Sequence, residues 1–296
     1  MRTPESDRAA ALLRGVPGGA DVPAADFGLL GLARRAVAEK SMPRPLDLLD
    51  ESHGLMVFAL RSSAVVEVAP IGKGIHRPYR VTFHSGLTRG PVTTRVAALK
   101  TVFCQFENKR YCESADLAVT GPEREILSYA LDRTIGFGLV PPTVGREVDG
   151  IGFGSVQAWV EQPTAWQWIA RGYDYRKDLG NPWLHRLAAF DFMRGEIDRH
   201  SNNWIMDEDR RVYAIDNGYA LVKGDDRKWF RTSAGKALRG CPVHPEVRGE
   251  VRRIDEEAVL DLLRHGRFTH GEPEGVVKRI RELKELRAWT KLGDLW

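Results

Sequence analysis

FDFMRGEIDRHSNNWIMDEDRRVYAIDNGYAL, residues 190–221, is the stretch on which the reading of this chain turns. Asp198 is followed five residues later by Asn203, and Asp216 comes after a hairpin-like turn, directly ahead of Asn217 and Gly218. Taken singly, each has an ordinary reading. Asp198 can cap a helix, Asn203 can sit in a turn, and Asp216-Asn217-Gly218 can be a hairpin turn with glycine where φ is positive. Short motifs match by chance often. The joint order and spacing of the three, on a helix–loop–strand–turn–strand background, outweighs those separate readings.

Around this stretch the chain divides by texture. Asn181-Pro182 opens a helix carrying Trp183, Leu184, Leu187, Ala188 and Phe190, and segments 203–206 and 212–216 form a short strand pair. Further helices are expected near 255–265 and 273–290. Before Pro163 the chain reads as strands: 56–60, 64–69, 79–83 and 95–103 are short, rich in β-branched or aromatic residues and separated by Gly- and Pro-containing turns. GSVQAWVE (154–161) reads as another buried strand, ended by Gln162-Pro163. One helix interrupts this block: Thr120 is its N-cap, Pro122 its first residue, and Glu123 completes a capping box. Its apolar face is Ile126, Leu127, Ala130, Leu131 and Ile135, and Gly136 ends it. A helix over 26–40 and a short helical piece at Leu46–Leu49, closed by Gly54, follow a loose leader at 1–25. The fold class expected is α+β with two lobes and a cleft between them. Residues 1–50 form the leader, 51–163 a strand-rich lobe and 164–296 a helical lobe.

Composition sets outer limits. The chain has 296 residues, 43% hydrophobic and 28% charged, ordinary values for a globular protein. No run approaches the ~18 apolar residues of a membrane helix. Lys and Arg number 44 against 40 Asp and Glu, a net charge of +4, which suits a phosphate-bearing ligand without demanding nucleic acid. The first 17 residues carry Arg2, Asp7, Arg8 and Arg14 rather than a secretory h-region. Three cysteines, Cys104, Cys112 and Cys241, fit no common zinc spacing and read as reduced thiols, so the expected setting is cytoplasmic.

Transfer of a phosphoryl group from ATP needs one carboxylate to orient or deprotonate an acceptor hydroxyl. It also needs an amide and a carboxylate to hold magnesium ions that bridge the nucleotide phosphates. Asp198, Asn203 and Asp216 match those roles. The protein-kinase catalytic loop has the same Asp-x-x-x-x-Asn spacing, with its magnesium Asp on the next hairpin before a Gly. The stretch resembles the atypical kinases of the secretory pathway, the Golgi casein kinase and four-jointed group, in its Phe-Asp-Phe, Asp-Arg-His and Asp-Asn-Gly pieces. It is equally similar to type II phosphatidylinositol 4-kinases and their bacterial relatives. The matches to these are Asp198-Arg199, Asn203-Trp204, Ile215 to Gly218, Gly138 to Thr143 and Val156 to Glu161.

The resemblance extends over roughly 79–222 and implies a kinase fold. It makes Lys100, on the strand 95–103, the residue that contacts nucleotide phosphates, and Glu125 its partner on the following helix. The helical wheel favours Glu123 over Glu125 as the residue nearer the apolar arc. It also makes Trp159-Val160-Glu161 the approach to a hinge that meets adenine, Asn203 and Asp216 the metal residues, and Asp198 the catalytic carboxylate. His200 and Trp204 are expected to shape and pack the catalytic loop. Gly72 and Gly74, in Ile71-Gly72-Lys73-Gly74, lie where a phosphate-covering loop belongs, though the third glycine is replaced by Arg77. Gly235-Lys236 lacks the rest of a P-loop.

The expected cofactors are ATP and Mg2+, with Mn2+ an alternative; the secretory kinases have an acidic residue where Asn203 stands, so their metal preference does not carry over. The expected function is an ATP-dependent kinase acting on a hydroxyl, protein Ser/Thr first. The alternatives are a lipid, inositol or sugar kinase, a HipA-like toxin kinase, and a nucleotide-binding pseudokinase scaffold. Residues 224–250, with Lys228, Trp229, Arg231, Lys236, Arg239 and Arg248, are a basic stretch that bears on the acceptor, or an ordinary solvated loop.

Overall fold

The computed structural model describes residues 47–72, 78–101, 121–221, 232–264, 266 and 272–289. The chain divides into two units, Met1–Met42 and Pro43–Trp296, and every described residue belongs to the second. The expected leader at 1–25 and helix at 26–40, Lys73, Gly74 and Arg77, Cys104 and Cys112, the Thr120 cap, and Lys228, Trp229 and Arg231 all lie outside the described residues.

An antiparallel six-stranded sheet dominates the first part. In chain order its strands are β1 (Val65–Pro70), β2 (Tyr79–Phe83), β3 (Thr88–Arg89), β4 (Val92–Thr101), β5 (Thr143–Val148) and β6 (Gly152–Val160). Their spatial order is β1-β2-β4-β6-β5, with β3 paired to β4. β4 is the central strand, and its β-branched run is nearly all buried. Lys100 faces Ser155 across the β4–β6 ladder and Thr101 faces Gly154. A Cβ at Gly154 would stand 2.3 Å from the Lys100 carbonyl oxygen and 2.8 Å from Leu99 Cδ1, so glycine is required there by close backbone approach. Gly154→Ala should therefore cost about 1–3 kcal/mol, as overpacking does. The check is a several-degree fall in melting temperature.

Two helices flank the sheet. Helix α1 (Asp47–Ser62) corrects the sequence reading, which made 56–60 a strand and closed a short helix at Gly54. MVFAL is a continuous apolar run, which a buried strand and a buried helix share. Here Met56, Val57 and Leu60 bury one helical face on the sheet, while Leu55 and Phe58 are exposed. Arg146 of β5 donates to the Leu60 carbonyl near the helix end (2.8 Å), satisfying a group that the helix leaves without a partner. Helix α2 (Gly121–Ile135) joins the strand-rich part to the helical one, since Leu127, Leu131 and Ile135 belong to the helical core.

After Val160 the chain is helical. The elements are α3 (Ala165–Ala170), α4 (Pro182–Arg194), α5 (Ser233–Ala237), α6 (Pro245–Arg252), α7 (Glu256–Arg264) and α8 (Glu272–Glu285), with a hairpin of β7 (Trp204–Met206) and β8 (Val212–Ala214). Helix α4 is bounded as its sequence demands. Asn181 accepts from the Trp183 N–H, Pro182 takes the first turn, and Gly195 closes the helix at φ +63°. Two hydrophobic cores result, one under the sheet and one among the helices. This is the α+β, two-part arrangement the sequence implied. No helix among the described residues is long and apolar enough to cross a membrane.

Candidate active site

The 198–203 loop leaves α4 and is tied into a compact turn. His200 N–H donates to the Asp198 carbonyl (2.7 Å) and Asn203 N–H to the His200 carbonyl (2.9 Å). The Asn203 side-chain amide donates to the Asp198 carbonyl at 2.8 Å and lies 3.5 Å from Asp198 Oδ2. The β7–β8 hairpin then doubles back, pairing Trp204 with Ala214, and Ile215 N–H reaches the Asn203 carbonyl at 3.1 Å. Asn203 is thereby paired with the residue before Asp216, although Asn203 and Asp216 lie thirteen positions apart in the sequence.

Across from this hairpin, Lys100 Nζ lies 2.5 Å from Glu125 Oε1 and 2.8 Å from Asp216 Oδ1. A central strand, helix α2 and the segment after β8 thus converge on one ammonium. Burial alone would lower the Lys100 pKa, but the charges of Asp216 and Glu125 outweigh it and raise the pKa, so the side chain is a fixed cation. Glu125, rather than the Glu123 favoured by the helical wheel, makes this contact, and it is almost wholly buried. Asp216 adopts φ +54°, a left-handed conformation uncommon outside glycine. Its side chain keeps 37% exposure, enough to meet a ligand. Asp198 is about half exposed. Burial raises its pKa first, the charges of Asp216 and Glu196 add to this, and His200 and Arg199 oppose it.

The charge balance suits a divalent cation. Lys100 stands against two carboxylates, Glu125 and Asp216, with Asp198 near enough to feel Asp216. Asn203 and Asp216 are hard oxygen donors, and two protein donors are what Mg2+ takes when waters and phosphate oxygens complete its shell. Among the described residues no group of three or more His, Cys, Asp or Glu is arranged to hold a metal.

The other expected positions are spread around this centre. Trp159, Val160 and Glu161 lie at the end of β6, where the sheet passes into the helical part. Val160 is buried, Trp159 has the Arg80 guanidinium 5.9 Å from its ring, and Glu161 N–H bonds the Pro91 carbonyl. Gly72, at φ +53°, stands at the β1 end of the β1–β2 connection. Trp204 is fully buried, donating to Ser233 Oγ (2.8 Å) and edge-packed on Tyr175. His200 is exposed instead of packed, its Nε2 4.0 Å from Asp198 Oδ2. Beside it opens a cavity of about 510 Å³ lined by Tyr175, Arg176, His200, Ser201, Ser233 and Lys236.

A buried charge cluster beneath the loop escaped the sequence reading. Asp191, Arg194, Glu196 and Arg199 all have fully buried side chains. Arg199 donates to Asp191 Oδ1 (3.1 Å), to the Asn203 carbonyl (2.6 Å), to Asn217 Oδ1 (2.7 Å) and to the Ile215 carbonyl. Asp191 and Arg194, three residues apart on a helix otherwise apolar on that side, were the available signal. Burial pushes the Asp191 carboxyl up to about 6 against the pull of Arg199 and Arg194.

No protein-family model matches the chain. Protein Rv2133c of Mycobacterium tuberculosis is 27% identical over 128 residues, covering 33% of this chain and 46% of that protein. The chain thus spans less than half the length of the curated relative it matches. Among solved structures, the Golgi casein kinase superposes with a TM-score of 0.52 at 15% identity, over 79% of this chain and 74% of that one. The Golgi casein kinase with Mn/ADP bound gives 0.46 at 14% identity, over 79% and 75%. The Helicobacter pylori proinflammatory kinase CtkA gives 0.47 at 12% identity, over 80% and 97%. The chain has an α+β fold resembling that of an atypical kinase.

Proposed function

We propose that the chain is an ATP-dependent kinase that transfers the γ-phosphoryl group to a hydroxyl, with protein serine and threonine the first acceptors to test. The observation that carries this reading is the convergence of Lys100, Glu125 and Asp216 within hydrogen-bonding distance, together with a loop that carries a half-exposed Asp198 and a buried Asn203 bonded to it. In this reading Lys100 binds the nucleotide phosphates and Glu125 holds Lys100 in place. Trp159, Val160 and Glu161 border the adenine, and Gly72 belongs to the loop over the phosphates. Asn203 and Asp216 hold Mg2+ or Mn2+, which neutralises charge on the phosphates when bound.

Asp198 orients the acceptor hydroxyl and takes its proton. The acceptor oxygen forms a bond to the γ-phosphorus as the bond from that phosphorus to the β–γ bridging oxygen breaks, and ADP leaves with the electron pair. The hydroxyls and cations that line the cavity beside His200 would suit a polar acceptor.

The test is to incubate the purified full chain with γ-labelled ATP and Mg2+ or Mn2+, alone and with a cell lysate. Labelled products are then identified by mass spectrometry. Labelled serine or threonine is the expected result. Label in lipid or sugar would keep the kinase reading and move the acceptor. Absence of both nucleotide binding and turnover with every divalent metal would overturn the proposal.

A further inference from the structure

Asp216 is held from both sides by one guanidinium. Arg199 Nη1 donates to the carbonyl of Ile215, the residue before Asp216, and Arg199 Nη2 donates at 2.7 Å to the side chain of Asn217, the residue after it. The same Nη1 reaches the Asn203 carbonyl at 2.6 Å. Arg199 is in turn fixed by Asp191.

Asn217 is fully buried and uses each of its polar groups. Its backbone N–H donates to Glu125 Oε1 at 2.9 Å, and its side-chain amide donates to Glu125 Oε2 at 3.2 Å and to the Ala214 carbonyl at 3.3 Å. A left-handed residue other than glycine persists only when its surroundings over-determine it. Asn217 and Arg199 supply that determination for Asp216.

We propose that Asn217, clamped by Arg199, is a positioning residue that sets the orientation of Asp216 and couples it to Glu125, and so governs the affinity of the site for a divalent cation. The proposal rests on the kinase reading, because it takes Asp216 and Asn203 as the metal residues. It goes beyond that reading by giving the affinity of the metal site to two residues that touch neither metal nor nucleotide. A polar residue is needed at 217 because Glu125 and Arg199 are both buried there, and an apolar side chain would leave a carboxylate oxygen and a guanidinium N–H without partners.

The experiment compares the parent chain with Asn217→Leu, similar in size and without polar atoms, and with Asn217→Ala, which adds no bulk. Binding of a non-hydrolysable ATP analogue is measured by calorimetry at increasing Mg2+ and in its absence, with melting temperatures alongside. The expected result is a rise of about tenfold in the half-saturating Mg2+ concentration in both variants, as loss of a hydrogen bond to a charged group implies. Metal-free binding of the analogue should stay within twofold. In turnover, the metal midpoint should move further than kcat.

A midpoint within twofold of the parent in either folded variant overturns the proposal, whatever the melting temperature does. So does an equal loss of metal-free binding, which would mark general loosening. A parent that binds nucleotide in a metal-dependent way but transfers no phosphate would sink the kinase reading and leave the clamp tested on binding alone. A parent that binds no nucleotide defeats both.

Discussion

Asp216→Asn should lower phosphoryl transfer about 1,000-fold or more, while the protein melts within a few degrees of the parent. The size follows from the loss of several kcal/mol of charge stabilisation, at about 1.4 kcal/mol per factor of ten. Asparagine is the informative replacement because it tolerates positive φ, so the backbone at +54° is kept and only the charge is removed. Asp216→Ala would add strain of roughly 1–2 kcal/mol and blur the result. The Lys100–Glu125 pair, 2.5 Å apart, does not involve residue 216, so the strand-to-helix link should survive in the variant. Transfer of labelled phosphate and metal-dependent binding of an ATP analogue are the measurements. A variant within threefold of the parent in both would remove Asp216 from the metal role.

The loop and hairpin of the candidate site were legible because local spacing sets their geometry. The loop and hairpin of 198–216 are short, and their geometry follows from turns, caps and one strand pair. Strand β2 and helix α2 were legible for the same reason: β-branched alternation marks the first, and a proline and an apolar stripe mark the second. Helix α1 was not, because MVFAL has no period that separates strand from helix and Gly54 in a helix interior looks like a stop. Packing against the sheet decided it. Glu125 was found by resemblance and missed by the helical wheel. The wheel places charge on the solvent face, and Glu125 is buried because Lys100 and Asn217 meet it from other elements. The burial and contacts of Arg199, named only as part of the Asp198-Arg199 match, were not legible for the converse reason. Arginine is almost never fully buried unless paired, and its partners come from α4, the loop, the hairpin and the segment after it, a set that only the folded chain assembles.

Asp198→Asn should lower transfer by about 100- to 10,000-fold, the usual worth of a positioned proton acceptor. Nucleotide and metal binding should change little. The substitution is clean because Asn203 donates to the backbone carbonyl of residue 198 at 2.8 Å, a contact that any residue there retains. The parent rate should fall as pH falls, because the base works ionised. Burial raises the Asp198 pKa, so this acid limb should lie above the ~3.9 of an unperturbed aspartate.

The same shift fixes the sign of the stability effect. The folded chain holds this proton more tightly than the unfolded chain does, so ionised Asp198 costs stability at neutral pH, and the cost is relieved as pH falls. Asp198→Asn should accordingly melt at or above the parent temperature at pH 7 while losing its activity. His200→Ala should move the acid limb upward, since the charge of His200 opposes the rise in the Asp198 pKa. A pH–rate profile of the parent without an acid limb above the ordinary aspartate value, or an Asp198→Asn variant that retains both activity and the limb, would take the proton-accepting role away from Asp198.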